Sequence, residues 1–412
     1  MVPEYSIIGG GIAGLILFKE LKKLNKTALI YESNDNDLNY GYINTNSLNH
    51  QDLHTHRNRG IGGTSIRWGG GCTMFEPEDF NNWPFDYDNF KKYYDMAAEL
   101  FKINNKQDNN YIFNKKFISN KFIVSNNVTT KLTGNNFINQ LFNTPELIND
   151  LKNNIINNVT LIKITKDKLF LKDKNNNIKI SKYTNCIICA GGLECPKILL
   201  ENLLPNKYIG KFYSPHININ YGKCILNEGV IKYPSIYTLN HETKTRYFLY
   251  KKKNKPIIRI TIRDNMTLNI QSDQTPNEDS KITLHNDTDK LSCKKINLIH
   301  SVCDEDLENI VECYKSLNED LKNTNIGYID KIPDITQLRS LADGASHFMG
   351  MTRMSNNDQD GVVDNKCKVF DTDNLYILST SVFPSYSHAQ PTFTLAALIF
   401  YFLDVNDITK ND

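Results

Sequence analysis

Apolar and polar positions change period repeatedly along the chain. Tyr5–Ile8 is a short apolar run, Gly9–Gly14 (G-G-G-I-A-G) is a break, and Leu15–Leu24 carries apolar residues at helical spacing; together they predict a strand, a tight turn and a helix. A second strand is predicted over Thr27–Tyr31, an amphipathic helix over Asn89–Phe101 and a helix around Pro145–Ile155. Strand-like runs follow at Val159–Ile164, Lys168–Leu171 and Asn177–Ser181. The segment C-I-I-C-A-G-G-L-E-C-P-K-I-L-L (Cys186–Leu200) reads as a buried strand, a glycine turn and an apolar helix with Pro196 in its first turn. Beyond Gly210 the period becomes two. Runs at His216–Asn220, Lys223–Leu226, Tyr247–Lys251, Ile257–Ile262 and Thr267–Ile270, then a turn and strand from Pro276-Asn277 to Leu284, predict an antiparallel sheet, with the helical stretch Glu305–Leu321 on its outer face. The chain closes with a histidine in a Gly/Met-rich bend (Ser346–Met354), a loop (Gly361–Asp364), an apolar strand within Asn374–Pro384, and a polar turn (His388–Thr394) that opens a final apolar helix.

The first turn carries chemistry. Gly9 permits the tight turn, Gly11 lets the backbone approach a pyrophosphate, Gly14 allows close helix–sheet packing, and the helix N-terminus favours the anion. Glu32 ends the second strand eighteen residues after Gly14, where a carboxylate can accept hydrogen bonds from a ribose diol. This pattern predicts a dinucleotide and does not separate FAD from NAD. R-G-I-G-G-T-S-I-R-W-G-G-G (Arg59–Gly71) holds six glycines in thirteen residues, which suits backbone lying flush against a flat or charged ligand. At the other end of the chain, His347 and the His388/Gln390 turn can meet at one end of a sheet, and an imidazole facing a second hydrogen-bonding side chain suits proton removal from a hydroxyl.

The closing block resembles the C-terminal signature of the glucose-methanol-choline (GMC) flavoprotein oxidoreductases: H-x-x-G-T-x-R-M, G-V-V-D, N-L-Y, S-V-F-P and N-P-T-x-T. Met351 stands where the family has Thr, and Gln390 where it has Asn or His. Arg59–Gly71 resembles the family's second flavin stretch, G-G-x-S-x-x-W, which favours FAD; Ala190–Leu200 resembles its A-G-x-x-x-S/C-P-x-L-L, near the adenosine half of FAD. The resemblance implies an α/β plus α+β protein, a shortened form of the family fold. A Rossmann-like FAD-binding domain (1–102, 137–212 and 340–412) would accompany an antiparallel-sheet substrate domain (103–136 and 213–339). It implies FAD held by Gly9, Gly11, Gly14, Glu32, Gly62, Gly63, Thr64, Ser65, Arg67, Trp68, Ala190, Gly191, Ser379, Thr380, Pro391 and Thr392. His347 is implied as the general base, with hydride passing to flavin N5, and Gln390 as its partner, with His388 as the alternative. Arg67 stands where covalent relatives carry the attaching histidine, which implies dissociable FAD. Arg353 reads as structural in preference to substrate-binding. The D-F, W-P and Y-Y order of Asp79-Phe80, Trp83-Pro84 and Tyr93-Tyr94 resembles the sugar-oxidising branch and implies an alcohol group of a sugar or polyol, with O2 or a quinone-like acceptor. Trp83 itself fits a packed anchor better than a sugar platform.

Composition narrows the rest. Lys+Arg 48 against Asp+Glu 46 leaves a formal charge of +2 with no dense basic cluster, which argues against nucleic acid as a partner. Nine cysteines without repeated spacing argue against a disulfide framework, and Cys186 and Cys189 read as strand residues on opposite faces. His216, His241, His285 and His300 lack metal-site spacing and read as structural or surface residues, so no metal is expected. A first strand by Tyr5 leaves no room for a leader, and Phe393–Leu403 is too short to span a bilayer; a soluble cytoplasmic protein is expected. Two rivals stay open: a flavin-dependent sugar enzyme without net redox change, and a non-catalytic binding protein.

Overall fold

A computed structural model describes residues 2–34, 41–45, 57–103, 122–127, 130, 137–202, 206–228, 245–263, 265–344 and 347–410. A five-stranded parallel sheet runs in the order Leu375–Ile377, Asn185–Ile188, Tyr5–Ile8, Ala28–Glu32, Ile155–Asn157. Its central strands are buried on both faces, which explains why Ile7, Ile30, Ile187 and Ile188 form continuous apolar runs. Helix Ile12–Lys23 buries Leu15, Ile16, Leu17, Phe18 and Leu21 against this sheet and the final helix, Pro391–Val405. That last helix is covered on every side. It is apolar around its circumference because it runs between Ile12–Lys23 and the helix Tyr87–Leu100.

The second large sheet has seven strands, six of them in the order Gly327–Ile329, Ile217–Leu226, Thr267–Ser272, Ile258–Ile262, Thr245–Tyr250, Phe122–Asn127. The alternation read from the sequence sorts its side chains. Ile217, Ile219, Ile258, Ile260, Leu268 and Ile270 share a core with Leu307, Ile310, Cys313, Tyr314 and Leu317 of helix Asp304–Asn323. Burial of each large aliphatic chain contributes roughly 1.5–3 kcal/mol. The opposite face carries His216, Asn218, Tyr247, Arg259, Asn269 and Gln271, with Asn218, Gln271 and Arg259 in one cross-strand row. Two three-stranded sheets complete the fold: Val159–Ile164 with Lys168–Asp173 and Ile178–Lys182, and Lys281–Thr288 with Lys294–His300 and Gly41–Thr45.

Several elements differ from the sequence reading. The helix expected to reach Ile155 stops at Asn153, and Ile155–Asn157 is the fifth strand of the parallel sheet, with Ile155 opposite Ile30. Phe122–Asn127, inside a polar stretch without visible period, is an edge strand paired with Thr245–Tyr250. Gly41–Thr45 and Lys294–His300 pair in parallel and were not anticipated either. In each case long-range backbone pairing outweighs weak local propensity. Trp83 is buried among Phe75, Phe80, Phe85, Phe90 and Phe383, a packed anchor. All nine cysteines are unpaired. Among the described residues no helix is long and apolar enough to cross a membrane. Ser346 and His241 lie outside the described residues.

Candidate active site

The parallel sheet delivers its carboxyl ends to one place: Gly9 after Tyr5–Ile8, Glu32 at the end of Ala28–Glu32, Cys189-Ala190 after Asn185–Ile188, and Leu378-Ser379 after Leu375–Ile377. Three helices, Ile12–Lys23, Gly191–Asn202 and Pro391–Val405, begin there. Gly9 has φ +104, and a Cβ on it would lie 2.8 Å from the Cys189 carbonyl oxygen. Gly11 caps the first helix without a side-chain hydrogen bond, so first-turn N–H groups stay available to an anion. The buried Glu32 carboxylate accepts from Gly10 N–H through Oε2 at 2.6 Å and from Asn34 N–H through Oε1 at 3.0 Å. It retains acceptor capacity for a ribose. The second glycine stretch lies against the first. Gly62 N–H donates to Gly10 O at 2.8 Å, and a Cβ on Gly63 would meet Gly11 Cα at 3.0 Å.

These parts enclose a cavity of about 640 Å³, within the usual range for a cofactor site. Of the sequence-selected residues, Gly9, Gly11, Glu32, Gly63, Thr64, Ser65, Arg67, Trp68, Ala190, Gly191, Ser379, Thr380, Pro391 and Thr392 line it, together with His347 and Gln390. Gly14 and Gly62 stand behind the lining, where they shape the backbone of the two turns, and His388 is also outside it.

At the cavity end where His347 stands, its Nδ1 lies 3.0 Å from Nδ1 of His216, and the rings meet edge to face with centroids 4.7 Å apart. His216 Nδ1 is also 3.0 Å from Gln271 Nε2. Burial, then the charges of Arg57 and Arg259, lower the His347 pKa to about 4. Burial likewise holds His216 well below the usual imidazole range. The backbone around His347 is pinned: Thr380 Oγ1 donates to Phe348 O at 2.6 Å, and the Arg57 guanidinium carbon sits 3.4 Å over the Phe348 ring. Gln390 is the N-cap of the final helix, and its buried Oε1 has no hydrogen-bond partner among the described residues. His388 points elsewhere. Its Nε2 is 3.6 Å from Glu76 Oε1, and its ring centroid is 5.7 Å from that of Tyr247. Burial raises the Glu76 pKa, but His388 and Lys251 outweigh it and hold that carboxyl down at about 2. Arg353 donates to Asp360 O and lies 3.8 Å over the Phe212 ring, a structural role built on a ring face and not on an ion pair.

Residues 276–398, which include His347 and Gln390, match a C-terminal family model described as GMC oxidoreductase. Over that stretch the chain is similar to the C-terminal part of the GMC oxidoreductases. Solved structures of the same fold agree along the whole length. A fungal aryl-alcohol oxidase superposes with a TM-score of 0.73 at 12% identity, covering 99% of this chain and 100% of the other. Pyridoxine 4-oxidase from Mesorbium loti gives 0.67 at 14% identity, covering 99% and 100%. A formate oxidase gives 0.67 at 14% identity, covering 98% of each chain. No curated protein matches the sequence. FAD is the cofactor of the GMC oxidoreductases, and the uncapped helix N-terminus, the glycine surfaces at Gly9, Gly11 and Gly63, and Glu32 fit its dinucleotide half.

Three residues of this site escaped the sequence reading. His216 was grouped with structural histidines, yet it is the direct neighbour of His347. Arg57 and Arg259 act on His347 through their charges. Only the strand alternation that places His216 on the same face as Gln271 and Arg259 hinted at this. The placement of Gln390 in the cavity and His388 outside it yields a test of the second group. Gln390→Ala is expected to slow flavin reduction about 10- to 100-fold, the range for losing a hydrogen bond to a developing charge, while His388→Ala affects mainly stability. Stopped-flow reduction of both variants decides; slowing in His388→Ala alone reverses the assignment.

Proposed function

We propose that this protein is an FAD-dependent oxidoreductase that oxidises an alcohol group of a sugar or related polyol, with His347 as general base and Gln390 as its partner. The supporting observation is that His347 and Gln390 line the same cavity as the glycine turns and Glu32. When bound, FAD supplies the hydride acceptor. The chain's own contribution is proton management and orientation. His347 and His216 face each other Nδ1 to Nδ1, so only one of these two nitrogens carries the proton. With the Gln271 amide nitrogen also directed at it, His216 Nδ1 is the acceptor and His347 Nδ1 the donor. The lone pair of His347 Nε2 is thereby left to take the hydroxyl proton, and a pKa of about 4 keeps that ring neutral at physiological pH. Gln390 can donate to the developing alkoxide. Asn218, Asn269 and Gln271 give the facing sheet surface amide groups suited to hydroxyls. The FAD-binding and substrate portions assigned from the sequence are part of this proposal, as is a small oxidant, O2 or quinone-like, for the reduced cofactor.

The test is anaerobic mixing of the FAD-loaded protein with a panel of sugars, polyols and simple alcohols. Bleaching of the flavin band by a sugar or polyol is expected; a flavin that stays oxidised throughout the panel contradicts the proposal. Since Arg67 cannot form the histidyl bond, the flavin is expected in the supernatant after acid precipitation, and a yellow pellet would contradict non-covalent binding.

A further inference from the structure

Arg259 stands on the polar face of the seven-stranded sheet, only 7% exposed, with Nη1 buried and without a hydrogen-bond partner among the described residues. No carboxylate among the described residues forms an ion pair with it. Its guanidinium carbon lies 4.2 Å over the Tyr247 ring, and that ring packs against His388. Directly across the sheet from Arg259 is Gln271, whose amide meets His216, which meets His347. The cation therefore sits one cross-strand row from the proposed base, and its charge is felt at His216, His347 and His388 alike. Withdrawing a guanidinium from water without a counter-charge is strongly unfavourable, and one aromatic face offsets only part of it. An anion that arrives with the ligand completes the site, and the planar fork of Arg suits a carboxylate.

We propose that Arg259 binds a carboxylate of the substrate, so that the alcohol oxidised beside His347 belongs to a polyhydroxy acid and not to a neutral sugar. The inference deepens the oxidoreductase reading and rests on it for the chemistry. Bound FAD would supply the hydride acceptor and His347 would take the hydroxyl proton, so that the carbinol carbon would become a carbonyl while the carboxylate is unchanged. Two strand spacings, roughly 10 Å, separate the strand of Arg259 from that of His216. The row Asn218, Gln271, Arg259 crosses that distance, so amide groups stand between the cation and the strand of His216, where they would meet the hydroxyls of a bound acid.

The test compares D-gluconate with D-glucitol, equal in carbon number, on the wild-type protein loaded with FAD. Gluconate is expected to reach half-maximal flavin bleaching at about 10²-fold lower concentration, the order of effect of one charge-assisted bidentate pair. Arg259→Met is expected to lose that preference and Arg259→Lys to keep part of it, with FAD content and melting temperature reporting whether each variant has folded. Acetate, which has no oxidisable hydroxyl, is expected to perturb the oxidised flavin spectrum of wild type and not of Arg259→Met. Equal or better bleaching by glucitol with no acetate response overturns the role of Arg259 and leaves alcohol oxidation standing. An Arg259-dependent acetate response without bleaching by any alcohol supports the anion site and removes the oxidation.

Discussion

His347→Ala is expected to slow flavin reduction by about 10²–10⁴-fold, the usual contribution of a positioned base, while FAD remains bound. The separation of the two effects follows from geometry. His347 lines the cavity beside His216, whereas the glycine turns, Glu32 and the uncapped helix N-terminus lie on other elements. Loss of the imidazole would remove the proposed proton acceptor without touching the glycine turns. Rapid-mixing reduction together with the flavin-to-protein ratio checks both halves; near-normal reduction would remove His347 from the mechanism. The pH profile is a second readout. Burial and the charges of Arg57 and Arg259 set the pKa at about 4, so reduction through this group is expected to be flat across neutral pH and to fall only as pH drops through about 4. The stability sign is the same. The folded value lies below the ordinary imidazole value of 6.5, so the contribution of a neutral His347 is fully present above 6.5 and is lost as pH falls from there toward about 4.

Gly14→Ala is expected to yield protein that purifies without flavin. The added Cβ would lie 2.1 Å from the Gly9 carbonyl oxygen and 3.2 Å from the Ile7 side chain. The nearer atom belongs to the backbone of the turn itself and cannot swing aside. Helix Ile12–Lys23 would have to retreat from the strand Tyr5–Ile8, and the first-turn N–H groups would retreat with it. Absorbance of the purified variant, with and without added FAD, checks this, and a circular-dichroism melt distinguishes loss of binding from loss of folding. Stoichiometric FAD in a stable Gly14→Ala protein would show that the helix does not need this close approach.

The two outcomes draw on different levels of information. The strand–turn–helix that opens the cavity was legible residue by residue because its demands are stereochemical and local: a positive φ at Gly9, a missing Cβ at Gly14, an acid at the end of the next strand. His347 and Gln390 were legible through the closing motif, and the sheet around His216–Ile270 through its period of two. The fifth parallel strand, Ile155–Asn157, and the edge strand Phe122–Asn127 were not, since a few residues in a polar setting become strands only through partners elsewhere.

By itself, then, the order of residues determined the strand–turn–helix that can receive a dinucleotide, the alternating sheet, and the imidazole at 347. Tertiary structure alone decided that His216 faces that imidazole, that Gln390 and not His388 lines the cavity, and that Arg259 is buried with no counter-ion among the described residues. Spacing along a chain records which face of an element a side chain takes. Which face of another element it meets is set by strand register and sheet packing, and the local sequence does not encode these.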